Sequence, residues 1–235
     1  MRFAARMVAG ITLAMSSGIA LAAQSGGPNV AAKPAEVSFQ FERVGLPVPR
    51  FTLRVEEDGS GSYQAEEIEG AADGRSLQYA SAKHIDRTLN LTSSTVGTIF
   101  KAARELNRFD MDCAANAKKV ADTGKKTLSY KGTDGSGSCT YNYSNNKDVE
   151  KLTTTFIGIA LTLDEGRRLA FLHQYDRLGL DAEMTIFERE TAAGHALELN
   201  TIAPVLTAIA GDNAVMERVR LEAANLLKLA GSNKI

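Results

Sequence analysis

The sequence predicts an α+β fold: an antiparallel sheet with packed helices and one disulfide, followed by an all-helical C-terminal region. Three observations carry this. Apolar residues alternate with polar ones over much of residues 37–143, and they recur at helical spacing from Val149 to the end. The only two cysteines, Cys113 and Cys139, lie in a chain that opens with an export signal. A content of 44% hydrophobic and 23% charged residues excludes collagen-like, mostly disordered and polytopic membrane classes.

Residues 1–22 read as a secretory signal peptide. Arg2 and Arg6 form the basic start, Met7 to Met15 a short apolar core, and Ala20-Leu21-Ala22 supplies small residues before the cut. The apolar stretch falls short of the roughly 20 residues of a membrane span, so no stable membrane insertion is expected after cleavage. The expected location is periplasmic or extracellular. Without Arg2 and Arg6 the 27 basic residues become 25 against 28 acidic ones, a formal charge near −3. With a pI near 6.3 there is no overall basic surplus to drive phosphate-backbone binding, and no nucleic-acid partner is expected. Residues 23–35 are small and polar, broken by Pro28 and Pro34, and read as a flexible leader.

Residues 36–146 make the predicted disulfide-bonded α+β domain. Val37, Phe39 and Phe41 alternate with polar neighbours, as do Phe51, Leu53 and Val55, giving two strands with one wet face. Asp58-Gly59-Ser60-Gly61 is turn chemistry before a third strand at Ser62–Glu66, and Leu77 to Leu91 offers a weaker fourth. Val96, Ile99, Phe100, Ala103 and Leu106 then fall at helical spacing behind Ser93 or Ser94, either a suitable cap. Lys126–Lys131 and Ser138–Ser144 flank Gly132–Gly137 as a hairpin. Cys139 lies on it, and pairing with Cys113 closes a loop of about 25 residues, constraining the unfolded chain by roughly 3.5 kcal/mol in the entropy model.

Residues 147–235 form the predicted helical region. Val149, Leu152, Phe156, Ile159 and Leu163 make one stripe, interrupted at Gly166 and continued by Leu169, Leu172 and Tyr175. Thr162 with Glu165 has capping-box spacing, so one long helix and two collinear ones both fit. Leu178-Gly179 reads as a stop, and Ala182–Ala193 as a short helix with Glu183, Glu188 and Glu190 outward.

In Ile202–Asp212, Pro204 stands early in a helix and Asp212 closes it; Val219-Arg220-Leu221-Glu222-Ala223-Ala224 then leads an apolar run to Gly231. This stretch resembles a single HEAT-type helical repeat. The resemblance implies protein-protein contact or scaffolding, with Arg220 as a candidate contact residue. A lone unit must bury its face on other helices. An ordinary helical hairpin fits the same spacing. Residues 37–160, through Pro49–Val55, Asp58-Gly59 and Tyr63, more loosely resemble uncharacterised domains of exported bacterial proteins, which implies location and fold without a mechanism.

Chemical motifs are sparse. His84, His173 and His195 form no His-X-X-X-His pair, so neither a metal nor a cofactor is expected. His173 has Asp176 and Arg177 at i+3 and i+4, a spacing that can orient an imidazole for acid-base work. Asp122-Thr123-Gly124 matches an aspartic-protease triplet only superficially, since a second such loop is missing, and it reads as a turn. Ser60 and Ser136 sit in turns and not in a nucleophile elbow. Lys118, Lys119, Lys125, Lys126 and Lys131 make a basic cluster near the predicted disulfide; Glu56, Glu57, Asp58, Glu66, Glu67 and Glu69 make an acidic one at the strand turns. Tyr130, Tyr141 and Tyr143 on the hairpin are candidate binding aromatics. The function expected from these features is a non-enzymatic binding or scaffolding protein of the cell envelope, meeting a protein partner through its helical C-terminal region. A small secreted hydrolase using His173 with Asp176 and an inhibitor-like module using the tyrosine hairpin remain alternatives.

Overall fold

Alternation dictates the sheet. In the computed structural model, which describes residues 34–68, 82–115 and 121–232, β1 (Glu36–Glu42), β2 (Arg50–Glu56), β3 (Ser60–Ile68), β4 (Ala82–Asn90), β5 (Lys125–Gly132) and β6 (Gly135–Tyr141) form one antiparallel sheet ordered β4-β3-β2-β1-β5-β6. The predicted signal peptide, most of the leader, the first part of the Leu77–Leu91 stretch, Glu69, Lys118 and Lys119 lie outside the described residues. Pairing aligns Tyr63, Leu53, Phe39, Leu128 and Cys139 across one face. A neighbouring row carries Ile85, Ala65, Phe51, Phe41, Lys126 and Tyr141. These side chains are buried because strand residues two apart share a face.

The same rule corrects two expectations. Lys126 stands in the inward row and is only 6% exposed, so it is not part of a solvated basic rim. Its ammonium is held by the carbonyls of Thr123, Gly124 and Asn142 and by Thr123 Oγ1, and burial lowers its pKa. The hairpin turn is two residues, Thr133-Asp134, because Gly132 and Gly135 already pair; the strands reach further into the glycine-rich stretch than composition suggested.

Two helices cover the apolar face. α1 (Ser93–Glu105) buries Val96, Ile99, Phe100 and Ala103, and its cap is Thr92, whose hydroxyl accepts from the Thr95 N–H, rather than a serine. Cys113–Cys139 is a disulfide with Cα atoms 5.8 Å apart, tying β6 to the segment after α1. Between them Asn107–Phe109 makes a turn whose three residues have positive φ (50°, 57° and 64°), a conformation L residues resist. Fully buried Phe109 anchors it, and the turn lies so close to β6 that a Cβ on Gly137 would stand 2.5 Å from the Arg108 carbonyl.

α2 (Lys147–Tyr175) is a single helix of 29 residues, started by Asn146, whose Oδ1 accepts from the Asp148 and Val149 N–H groups. Thr162 caps nothing; its hydroxyl donates to the Gly158 carbonyl inside the helix. Gly166 does not interrupt α2. It admits Ile202, whose Cγ2 would lie 2.2 Å from any Cβ placed there. The stop falls at Asp176, and Leu178-Gly179 belong to the first turn of α3 (Arg177–Ala192), where Asp176 Oδ1 accepts from the Gly179 N–H at 3.0 Å. Glu183, expected outward, is 5% exposed.

α4 (Ala203–Gly211) and α5 (Glu217–Ser232) form a helical hairpin. With α3 and the end of α2 they enclose a second core around Leu169, Met184, Phe187, Ile202, Leu206 and Val219. The first core includes Val149, Leu152, Phe156, Ile159 and Leu163, so α2, which begins directly after the boundary expected at residue 146, contributes to both. The described residues all belong to one compact unit. Glu198 reaches between the cores. It holds a left-handed backbone (φ 59°) and its carboxylate accepts from the Thr92 N–H at 2.8 Å, the Thr92 hydroxyl at 2.6 Å and the Thr95 hydroxyl. A carboxylate there meets the partial positive charge of a helix start.

Candidate functional site

The loop joining β1 to β2 folds over the end of β3, where the Ile68 N–H donates to the Pro47 carbonyl at 2.9 Å. This sets Leu46, Pro47 and Val48 opposite the second half of α2 and leaves a groove of about 690 Å³. Leu161, Phe171 and Leu172 supply the helix wall, and Glu67, Ile68 and Lys83 the sheet side. At its end Phe171 and Tyr175 pack ring to ring, 5.0 Å between centroids, while remaining 59% and 68% exposed. Helical spacing of four residues brings those rings together.

Polar groups of the groove are concentrated on α2 around Gly166. Arg167 Nη1 binds Glu67 Oε2 at 2.7 Å, both side chains about one quarter exposed. Asp164 accepts from the Tyr63 hydroxyl at 2.9 Å. Burial pushes the Asp164 carboxyl up to about 6, against the pull of Tyr63 and Arg167, and burial together with Asp164 raises the Tyr63 phenol. Glu165 is pushed up to about 7, first by burial and then by the Glu183 carboxylate. Glu183 in turn binds Arg168 Nε at 3.0 Å. Burial thus favours the neutral carboxyl at both Asp164 and Glu165 beside an apolar trough. Among the described residues no group of three His, Cys, Asp or Glu side chains is placed to hold a metal ion.

The residues singled out from sequence are distributed differently. Tyr130 is fully buried, its hydroxyl donating to Asp134 at 2.6 Å and its ring edge-on to Phe100 at 6.3 Å. Tyr141 is 3% exposed and its hydroxyl bonds Thr153 on α2. Neither lines an open face, because the inward side of the hairpin is the core side of the sheet. Tyr143 lies past the end of β6 and is 42% exposed, so the three tyrosines make no common surface.

His173 and Asp176 do not form a pair. The imidazole Nε2 meets Asp212 Oδ2 at 2.9 Å, Arg177 approaches the same oxygen at 3.4 Å, and Asp176 is occupied as the α3 cap. Asp212, which closes α4, also accepts from the Ala214 N–H, and these contacts lower its pKa. Arg220 is half-buried; it bonds Asn213 Oδ1 at 2.9 Å, and its Nε is buried without an acceptor among the described residues.

The acidic residues at the strand turns are likewise engaged: Glu57 with Arg104 at 2.7 Å, Glu66 with Arg50 at 3.1 Å, and Glu67 with Arg167. Asp122 and Thr123 hold the turn before β5 through the Gly124 N–H and Asn142.

Sequence reasoning did not mark Asp164 or Phe171, and gave Glu165 only a capping role and Glu183 an outward position. A usable signal was present for Glu183: with Leu180, Met184 and Phe187 it falls on one helical face, so its carboxylate had to be buried with the apolar residues.

No protein-family model and no curated protein sequence matches the chain.

Proposed function

We propose that the mature protein is exported, keeps its disulfide in an oxidising compartment of the cell envelope or outside the cell, and acts there as a non-enzymatic binding or scaffolding protein with a protein partner. The observation that carries this reading is the exposed Phe171–Tyr175 pair at the end of an apolar groove. Surface aromatics beside apolar lining are costly to leave in water and are enriched where proteins meet. The signal-like residues 1–22 support export, and the disulfide suits that destination. The hairpin of α4 and α5, read as a single HEAT-like unit, supports a scaffolding role; its face is buried against α2 and α3 rather than against further repeats. The contact residue expected at Arg220 moves to Phe171.

The test is capture of tagged residues 23–235 from cross-linked envelope extract, comparing the native sequence with Phe171→Asp. A stoichiometric partner lost at least about tenfold in the variant, which retains the native melting temperature because Phe171 is exposed, is the expected result. Equal recovery by both proteins removes the groove from the reading. Turnover of a peptide, ester or glycan substrate, abolished by one side-chain substitution, replaces binding with catalysis.

A further inference from the structure

The sheet ends in two edge strands, β4 and β6, and an edge strand presents main-chain donors and acceptors to any strand that can pair with them. The two edges are built differently. β4 carries Lys83, His84, Asp86 and Arg87, and at its end the Asn90 carbonyl accepts from the Asn200 side chain at 3.1 Å. Charge along an edge discourages pairing with another chain. β6, Gly-Ser-Gly-Ser-Cys-Thr-Tyr, has neither a charged residue nor a proline. Gly132 and Gly135 close a two-residue turn as a hydrogen-bonded pair, so in the alternating ladder the main-chain groups of Gly135, Gly137, Cys139 and Tyr141 face β5. Those of Ser136, Ser138 and Thr140 face away from the sheet, and among the described residues they have no hydrogen-bond partner. All three residues are exposed. The chain that comes from the disulfide is attached past the end of the strand, where the Ala115 N–H donates to the Tyr143 carbonyl and the Asn142 amide donates to the Ala121 carbonyl.

We propose that β6 pairs antiparallel with β6 of a second copy of this chain, about a two-fold axis at Ser138, so that two sheets become one. In that register Ser138 meets Ser138, Ser136 meets Thr140, Gly137 meets Cys139 and Gly135 meets Tyr141. No charge faces a like charge, and each larger inward residue stands opposite a glycine. The outward N–H groups of Ser136, Ser138 and Thr140 in each copy reach carbonyls of the other, which satisfies the groups the sheet leaves over. The hydroxyl rows of the wet face, Ser129 with Ser138 and Thr127 with Thr140, each 3.0 Å between oxygens, continue across the axis. The same operation on β4 meets repulsion: an axis at Asp86 sets the two aspartates together, and one at Ile85 sets Lys83 against Arg87. Charge compatibility therefore selects β6 as the edge that accepts its own copy. The groove draws its sheet side from Glu67 and Ile68 of β3 and Lys83 of β4, toward the opposite edge, so this pairing does not rest on the groove having a partner.

The test is analytical ultracentrifugation of residues 23–235 over about 5 to 200 μM, for the native sequence and for Ser138→Pro. Proline removes the N–H on the axis and turns its ring toward the second copy, while no bond to β5 uses that N–H. The native protein should rise to twice the monomer mass with concentration, and the variant should associate at least about tenfold more weakly. A native protein that stays monomeric over the whole range overturns the pairing. So does a dimer that Ser138→Pro keeps and Phe171→Asp loses, which puts the self-contact in the groove. If the proline variant fails to fold, amide hydrogen exchange of the native protein decides: exchange at Ser136, Ser138 and Thr140 that slows as concentration rises upholds the paired edge, and rates independent of concentration overturn it.

Discussion

The two cores are built on opposite principles. The sheet core is aromatic and long-range: Phe39 of β1 stacks on Phe156 of α2 at 5.2 Å with planes 4° apart, Phe51 packs between Phe41 and Tyr63, and the disulfide joins β6 to a segment that follows α1. The C-terminal core is largely aliphatic, gathers helices close together in sequence, and depends on small residues for close approach. Their polar accounting differs too. The buried side-chain atoms without partners among the described residues belong to Glu165, Arg167, Arg220 and Glu222, all on α2 beyond its midpoint or on α5. This sheet pairs its main chain internally and turns most of its charged side chains to the wet face, and Lys126 and Glu67, which face inward, are both partnered. Helices packed on several sides leave fewer outward positions, so some charges are trapped at contacts where water is scarce. Unpartnered buried polar atoms therefore collect in the helical half, while the groove lies where α2 faces the β1–β2 loop and the end of the sheet.

The sharpest way to break the first core is Phe156→Ala. The side chain is fully buried and stacked, and the truncation should cost about 4 kcal/mol, read from urea unfolding at constant slope. A cost below about 1 kcal/mol would show that α2 is held mainly by its C-terminal partners. Removal of the disulfide by Cys113→Ser and Cys139→Ser together comes next, at about 3 kcal/mol for a sequence separation of 26. That loss should leave the melting of the α4–α5 hairpin and the sheet a single transition, since the described residues fall in one compact unit; two separated transitions by circular dichroism would divide the cores.

The smallest effect tests the second core's close approach. Gly166→Ala places a methyl against Ile202 and should cost about 2 kcal/mol, and Ile202→Ala in the same chain should recover part of it. Additive losses in the double variant would mean that the two residues do not share the space.

Much of the sheet half could be read from sequence because its governing interactions are periodic or rare. Val37–Phe41 and Phe51–Val55 alternate without interruption, and with only two cysteines there is one possible intramolecular pairing. The helical half yielded its elements but not its joints. Gly166 looked like an interruption because glycine weakens a helix in isolation; Ile202, 36 positions away, gives it a reason to be there. His173 had a carboxylate at convenient helical spacing and used a different one, Asp212, because Asp176 was taken up by the start of α3.

By itself, then, the sequence determined the α+β class, the inward faces of the strands, the helical stripes and the identity of the disulfide, since each follows from spacing along one segment or from a count of two. Only the tertiary structure decided that Tyr130, Tyr141 and Lys126 point into the core together, that Glu198 binds the start of α1, and that buried Glu183 pairs with Arg168. The reason is that a side chain's partner is set by which element faces it across the fold, and local periodicity carries no information about that.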